Sequence, residues 1–422
     1  MTPFWLSLSK PLVYSDALRQ AQGERGIFVT YHEKLSKPTM QRKPLSIAII
    51  GAGIGGLATA ALLARLGIVV RVYEQAPAFA RVGAGIQMAP NAVKVLRALG
   101  VDARLRQTAF QSERAVSRVW DSGEITSDLP LGDALEAKFG APYFFLHRAD
   151  LHAAIASIVP AGIVEFNRKL TGLEQGATNT PGVTLAFADG TRVTADAVIA
   201  ADGVHSLVRE ILLGPEHAHF TGKVAYRTTF AAARMHGVQV PTVRTKWWGK
   251  DRHMVIYPVT AARDEIYFVT SQPEKAEWLT PESWSAKGDL EELRASFAGF
   301  HAQVQAVLNA APEVHKWALF ERDPLPSWST GHVVLLGDAC HPMTPYMAQG
   351  AASALEDAMV LSRCMEGIAV DGVAAAFKRY EATRKPRTSQ IQTNSSKNTW
   401  LKGDTDPAWV YGYDACAAAL AS

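Results

Sequence analysis

The chain has 422 residues, of which 48% are hydrophobic and 20% charged, and its formal net charge is +3 at pH 7. This composition predicts a globular protein with a sizeable core, and the length allows two joined domains. So small a net charge gives no support for nucleic acid or an anionic membrane as a partner, and we expect neither. The three cysteines form no C-x-x-C pair, which excludes a redox-active dithiol and predicts a cytoplasmic protein.

The first 39 residues lack both the apolar core of a signal peptide and any periodic pattern. Met40 stands just before the first convincing strand. We therefore expect residues 1–39 to be a disordered extension, or one that is absent because translation starts at Met40.

An apolar run over residues 45–50 leads into a G-x-G-x-x-G turn made by Gly51, Gly53 and Gly56. A helical pattern and a second apolar strand follow, and that strand ends at Glu74. Strand, glycine turn, helix and an acid about 20 residues on form the full dinucleotide-binding fingerprint. The glycines allow the backbone to approach a pyrophosphate, and Glu74 would accept hydrogen bonds from ribose hydroxyls. The fingerprint alone does not separate FAD from NAD.

Two later strands end in acidic turns. Residues 194–201 run into Asp202 and a glycine, and residues 332–336 run into a glycine and Asp338. In open α/β sheets, ligands bind at the carboxyl ends of strands, so both acids are candidates for cofactor contacts. The sequence has no second G-x-G-x-x-G, and a nicotinamide cofactor would therefore have no domain of its own.

The region between these turns alternates apolar and polar residues over 223–232, 253–259 and 265–270. This pattern predicts a mostly antiparallel inserted sheet. Because strand side chains alternate, His253 and Tyr257 share one face, where they could bind a substrate carboxylate or accept a phenolic proton. The alternative is that both are hydrogen-bonded sheet residues with a structural role.

The dense basic cluster formed by Arg384, Lys385 and Arg387 follows a helical pattern, and we expect a solvated helix end there.

The order G-x-G-x-x-G, D-G and G-D-A-x-H-P resembles that of the class A flavoprotein monooxygenases, the p-hydroxybenzoate and salicylate hydroxylase family. The last motif, at residues 337–342, is the most specific of the three. Segments 74–79, 246–248 and 406–414 are similar to the pyridine-carboxylate hydroxylases of this family. Those relatives have histidines where this chain has Gln87 and Tyr346, and a cysteine near Arg244, so several pocket positions differ.

The resemblance implies an α/β fold with a discontinuous FAD-binding Rossmann-like (GR2-type) domain over residues 40–215 and 325–365. It also implies an inserted, mostly antiparallel β-sheet substrate domain over 216–324 and a C-terminal helix and tail over 366–422. We expect a monomer or a homodimer.

The same resemblance assigns residues to the cofactor and the substrate. The residues implied to bind non-covalent FAD are Gly51, Gly53, Gly56, Glu74, Gln75, Arg148, Asp202, Asp338, Gly350 and Ala351. The catalytic candidates in the pocket are Gln87, His253, Tyr257 and Tyr346. Gln87 could hydrogen-bond the substrate but cannot act as a base, and we expect no metal.

The implied reaction uses NADH or NADPH and O2 to hydroxylate an aromatic acid through a flavin C4a-hydroperoxide. The expected substrate is a hydroxylated pyridine carboxylate such as 6-hydroxynicotinate, hydroxylated with decarboxylation; a salicylate-like hydroxybenzoate is the alternative. The site should accept the phenolic proton and exclude water. Two other classes compete with this interpretation. A non-enzymatic binding protein would be colourless, and an FAD oxidase would produce H2O2 without a hydroxylated product.

Overall fold

The computed structural model describes residues 44–81, 84–176, 182–216, 218–239, 241–274, 286–402 and 405–422. The expectation for residues 1–39 lies outside these ranges. Within them, none of the helices combines the length and the apolar character that a membrane span requires.

The described residues form eighteen β-strands and eleven α-helices. The strands are β1 (Ser46–Ile50), β2 (Val69–Tyr73), β3 (Gly85–Met88), β4 (Arg114–Val119), β5 (Ile125–Pro130), β6 (Phe144–His147), β7 (Val164–Glu165), β8 (Leu170–Gln175), β9 (Val183–Phe187), β10 (Arg192–Ala195), β11 (Ala197–Ala200), β12 (His219–Ala231), β13 (Arg244–Trp248), β14 (His253–Pro258), β15 (Glu265–Pro273), β16 (His315–Glu321), β17 (Ser329–Thr330) and β18 (Val333–Leu335). The helices are α1 (Ile54–Arg65), α2 (Pro90–Leu99), α3 (Asp102–Thr108), α4 (Asp133–Phe139), α5 (Arg148–Ala156), α6 (Leu207–Leu213), α7 (Leu290–Ser296), α8 (Ala302–Ala310), α9 (Gly350–Cys364), α10 (Val373–Ser396) and α11 (Ala408–Tyr411).

A six-stranded sheet has the order β17-β18-β11-β1-β2-β7, and its pairs are parallel except for β17 with β18. Strands β1, β11 and β18 are near-continuous apolar runs, which is typical of parallel strands covered on both faces. These three strands are neighbours, so the turns that follow them meet at one edge of the sheet. The three motifs are thereby brought together.

A seven-stranded sheet has the order β16-β12-β15-β14-β13-β4-β5, and only the pair of β13 with β4 is parallel. The prediction of a mostly antiparallel sheet is confirmed. The sheet is wider than the sequence indicated, because β4 and β5 come from the segment assigned to the FAD-binding domain. Residues 44–422 form one compact unit, so the proposed domain boundaries remain predictions.

The two faces of the seven-stranded sheet have different partners. Met254 and Ile256 of β14 belong to a core with residues of α7 and α8, whereas Val255 and Tyr257 belong to a second core with residues of β6. We call the face that carries Tyr257 the inner face. His253 lies on it too, as the strand alternation predicted, with its ring 5.7 Å from that of Tyr346.

Helix α10 packs against α9. The expectation of a solvated helix end is wrong for two residues of the basic cluster. Arg384 is fully buried and forms ion pairs with Glu356 and Asp357, at 2.7 Å each. Arg387 binds the same glutamate at 3.0 Å. Arg384 and Arg387 therefore form an ion-pair network with two acids of α9, which supply the counter-charges.

Candidate flavin and substrate site

A cavity of about 860 Å³ lies between the motif edge of the six-stranded sheet and the inner face of the seven-stranded sheet. Its volume is typical of a site for a cofactor and a small ligand. Apart from Gly56, every residue that the resemblance implies to bind FAD lines the cavity. These residues are Gly51, Gly53, Glu74, Gln75, Arg148, Asp202, Asp338, Gly350 and Ala351.

The three glycines of the G-x-G-x-x-G turn have different structural roles. A Cβ on Gly51, where φ is +96°, would lie 2.4 Å from the carbonyl oxygen of Ala201, and a Cβ on Gly56 would lie 2.1 Å from that of Gly51. A Cβ on Gly53 would have no described atom within 4 Å. Gly51 and Gly56 thus allow close packing, and Gly53 keeps the approach to the helix open. Helix α1 begins at the next residue without a side-chain cap, which suits a pyrophosphate.

Glu74 holds the same turn from the end of β2. Its two carboxylate oxygens accept hydrogen bonds from the backbone N–H groups of Ala52, at 2.9 Å, and Ala76, at 2.8 Å. A carboxylate oxygen has more than one lone pair, so each can also accept from a ribose hydroxyl. The arrangement fits the adenosine end of FAD.

The two aspartates differ in their contacts. The carboxylate of Asp202 accepts hydrogen bonds from the Ser206 hydroxyl, at 2.6 Å, and the Val208 N–H, at 3.2 Å, and burial raises the pKa of Asp202. Asp338 is exposed on the cavity wall. Arg209 joins the two turns by donating to the carbonyl oxygen of Asp338 at 3.3 Å. Asp202 thus holds its turn, and the Asp338 carboxylate faces the ligand space.

Gln87 and Tyr257 line the cavity on the side of the inner face. The Tyr143 hydroxyl donates to Gln87 Oε1 at 3.1 Å, and Gln87 also hydrogen-bonds Tyr257. The Tyr257 ring lies 5.1 Å from the rings of Phe145 and Tyr267. Burial raises the pKa of Tyr257 well above its ordinary value, so its side chain is a neutral phenol at pH 7.

The other two predicted pocket residues, His253 and Tyr346, lie behind the cavity wall. The Tyr346 hydroxyl is 3.0 Å from the Ser271 hydroxyl, and the His253 ring packs 5.0 Å from Trp248. Burial and the nearby Lys246 lower the pKa of His253 well below its ordinary value, which leaves a neutral imidazole at pH 7. The four predicted residues therefore form two pairs, and only Gln87 and Tyr257 reach the cavity.

The sequence interpretation missed Arg227 and Trp317, which both line the cavity. The guanidinium of Arg227 lies 4.5 Å from the centre of the Trp317 ring. Arg227 belongs to the alternating run over residues 223–232. An arginine on the inward face of that run could have indicated a residue of the site. Trp317 lies on β16, which carried no motif.

A family model described as "FAD binding domain" matches residues 45–395. The chain belongs to this family, and it is an FAD-dependent aromatic monooxygenase.

Two relatives are 6-hydroxynicotinate 3-monooxygenases. The protein of Bordetella bronchiseptica is 48% identical over 90% of this chain and 98% of its own length, and that of Pseudomonas fluorescens is 44% identical over 87% and 94%. A solved salicylate hydroxylase substrate complex is 25% identical, covers 89% of this chain and 97% of its own, and superposes with a TM-score of 0.76.

Proposed function

We propose that this enzyme hydroxylates a hydroxylated pyridine carboxylate such as 6-hydroxynicotinate, with loss of the carboxyl group, using NADH and O2. The observation that carries the proposal is that one cavity is lined both by residues that the resemblance assigns to FAD and by the Gln87–Tyr257 pair. The names of the two 6-hydroxynicotinate 3-monooxygenases among the relatives supply the substrate class. Reduced FAD supplies the activation of O2 when it is bound.

The protein's own residues bind and orient the ring. Gln87 and Tyr257 present an amide and a phenol hydroxyl, which can hydrogen-bond a polar substituent of the ring. Phe145 and Tyr267 pack around Tyr257 and exclude water from this end. Because its pKa is raised, Tyr257 acts here as a neutral hydrogen-bonding partner and not as a phenolate.

A hydroxybenzoate is the alternative substrate. Its support is that Gln87, which lines the cavity, stands where the pyridine enzymes have a histidine, so a ring nitrogen would meet a different partner here. A pyridine acid and a benzoic acid of similar size both suit the aromatic wall.

The test is a substrate panel with 6-hydroxynicotinate, salicylate and 3-hydroxybenzoate, each with NADH and with NADPH. We expect NADH oxidation, O2 uptake and hydroxylated product to match in amount for 6-hydroxynicotinate. A coupled reaction with a benzoate alone would replace the pyridine proposal by the alternative. Oxidation that gives H2O2 and no hydroxylated product would refute both.

We further propose that the enzyme acts in the cytoplasm as a monomer or a homodimer. The absence of a C-x-x-C pair supports a reducing compartment. Light scattering on the purified holoenzyme and fractionation of the native cells test the two statements; a larger assembly or a secreted enzyme would contradict them.

A further inference from the structure

Strand β13 carries two buried cations on the inner face of the seven-stranded sheet. Arg244 is 6% exposed and Lys246 is 2% exposed, and they are two residues apart on one face. Burial lowers the pKa of both, and no carboxylate contributes to either shift. In the part of the chain that the structure describes, neither forms an ion pair with an acid.

Arg244 is surrounded by phenols. Tyr143, Tyr257 and Tyr411 all act electrostatically on its guanidinium, and one guanidinium nitrogen, Nη1, has no hydrogen-bond partner among the described residues. Two contacts connect this group to the cavity: Tyr257 lines the cavity, and Tyr143 donates to Gln87, which also lines it. The guanidinium therefore lies directly behind the Gln87–Tyr257 wall.

A buried guanidinium without a counter-ion is unfavourable, and an arginine cannot avoid the cost by losing its proton at neutral pH. Phenols compensate only in part, since their oxygens carry no net charge while they remain protonated. An anion bound against Gln87 and Tyr257 would supply the missing negative charge across one layer of side chains.

We propose that Arg244 is the specificity-determining residue that makes this pocket select ring substrates bearing a carboxylate. The carboxylate binds to Gln87 and Tyr257, and Arg244 behind them is its counter-charge; Arg244 is thus a positioning residue that acts through this pair. The inference rests on the proposed function, because it assigns the substrate's acid group to one end of that same pocket.

Lys246 provides the matched comparison. It is equally buried, lies on the same face of β13, and also has no acidic partner among the described residues. Its Nζ, however, lies 3.8 Å from the centre of the Trp248 ring, which offers a cation–π contact. Its charge also acts on His253, which lies behind the cavity wall.

The experiment measures dissociation constants from the change in flavin absorbance of the oxidised holoenzyme. Each enzyme is titrated with two acid–amide pairs, 6-hydroxynicotinate with 6-hydroxynicotinamide and 3-hydroxybenzoate with 3-hydroxybenzamide. The variants are Arg244→Met, Arg244→Lys and Lys246→Met, each checked for FAD content and thermal unfolding. We expect the wild type to prefer the acid, Arg244→Met to lose at least tenfold of that preference, Arg244→Lys to recover part of it, and Lys246→Met to keep it.

Equal weakening of acid and amide in Arg244→Met would overturn the proposal, and so would loss of the preference in Lys246→Met alone. If Arg244→Met does not retain FAD, Arg244→Lys decides by the same criterion, since it keeps a cation but alters its reach and fork geometry. Failure of the wild type to bind the pyridine acid would refute the proposed substrate. The benzoate pair would then still decide the role of Arg244.

Discussion

The Tyr257 hydroxyl is the one polar group that β14 presents to the cavity wall. Tyr257→Phe keeps the ring packing against Phe145 and Tyr267 and removes only this hydroxyl. Losing a useful hydrogen bond costs on the order of 0.5–1.5 kcal/mol, or up to about 3 kcal/mol with a charged partner. We expect a loss of roughly 2- to 150-fold in the rate of product formation, or a matching fall in product per NADH, with FAD content unchanged.

Met254→Leu is the control for that substitution. Met254 is the neighbour of His253 on the opposite face of β14, in the core with α7 and α8, so its replacement should change stability slightly and coupling hardly at all. If Tyr257→Phe has unaltered turnover and an unaltered yield of product per NADH, the role of Tyr257 is purely structural.

Glu74 and Asp338 should each be needed to retain FAD, for different reasons. Glu74→Ala leaves the N–H groups of the buried Ala52 and the half-buried Ala76 without their acceptor, and an unpaired buried group costs about 1–3 kcal/mol. Asp338→Ala removes a carboxylate that faces the cavity. We expect both variants to lose flavin on gel filtration, while Glu291→Ala, an exposed control, keeps it. Full occupancy in both variants would refute this placement of the cofactor.

Ion pairs join helices α9 and α10, and the sequence pattern did not predict them. His341 Nε2 lies 2.5 Å from Asp357, which also accepts from Arg384, and the backbone N–H of Gly337 donates to the same carboxylate at 3.2 Å. These contacts indicate a structural role for His341. The network holds the start of the Gly337–Asp338 turn from behind, and so links the C-terminal helix to the cofactor site.

These buried acids should make stability depend on pH. Burial alone would raise the pKa of Glu356 and of Asp357, but the neighbouring cations outweigh it, Arg384 acting on both, and both pKa values are lowered. A carboxyl whose pKa is lower in the folded state stabilises the fold above its unfolded pKa, near 4. This contribution should be lost as the pH falls below about 4 towards the depressed values.

Asp357→Asn tests that dependence. It leaves Arg384 buried with one counter-charge fewer, and breaking a buried pair costs about 3–5 kcal/mol. We expect the variant to be less stable at pH 7 and its stability to change less between pH 7 and pH 3.5, as measured by denaturant unfolding. Glu174→Gln removes an exposed ion pair worth about 0–1 kcal/mol and serves as control. Parallel pH profiles for Asp357→Asn and the wild type would contradict the assignment.

The sequence predicted the local features of the fold better than its long-range pairings. Three motifs at strand ends were enough to bring Gly51, Asp202 and Asp338 to one sheet edge, since neighbouring parallel strands end together. The membership of β4 in the seven-stranded sheet could not be seen, because its pairing with β13 joins residues far apart in the chain. The burial of Arg384 was missed for the same reason: its acids lie on another helix.

The cavity is built by both sheets together, and this explains which site residues the sequence could locate. Gln87 reaches the wall because β3 pairs with β6, which sets Gln87 opposite Phe145. His253 and Tyr257 were correctly placed on one face, but which of them reaches the cavity depends on the curvature and packing of the sheet. The alternation of side chains along a strand does not indicate how close each side chain lies to the cavity.

Substrate binding should control the rate of flavin reduction. The sequence has no second dinucleotide fingerprint, so NADH must visit the cavity transiently. Activating O2 without a ring to accept the oxygen wastes NADH as H2O2, and an enzyme of this type gains by reducing its flavin quickly only when the substrate is bound. Rapid mixing with NADH in the absence of O2 should therefore show faster bleaching of the flavin with 6-hydroxynicotinate present than without it. The non-hydroxylated nicotinate ring is the matched control, because it shares the carboxylate and lacks the ring oxygen. Equal reduction rates with and without 6-hydroxynicotinate, and with every other acid in the panel, would show that reduction is not controlled by substrate and would remove this form of control from the account.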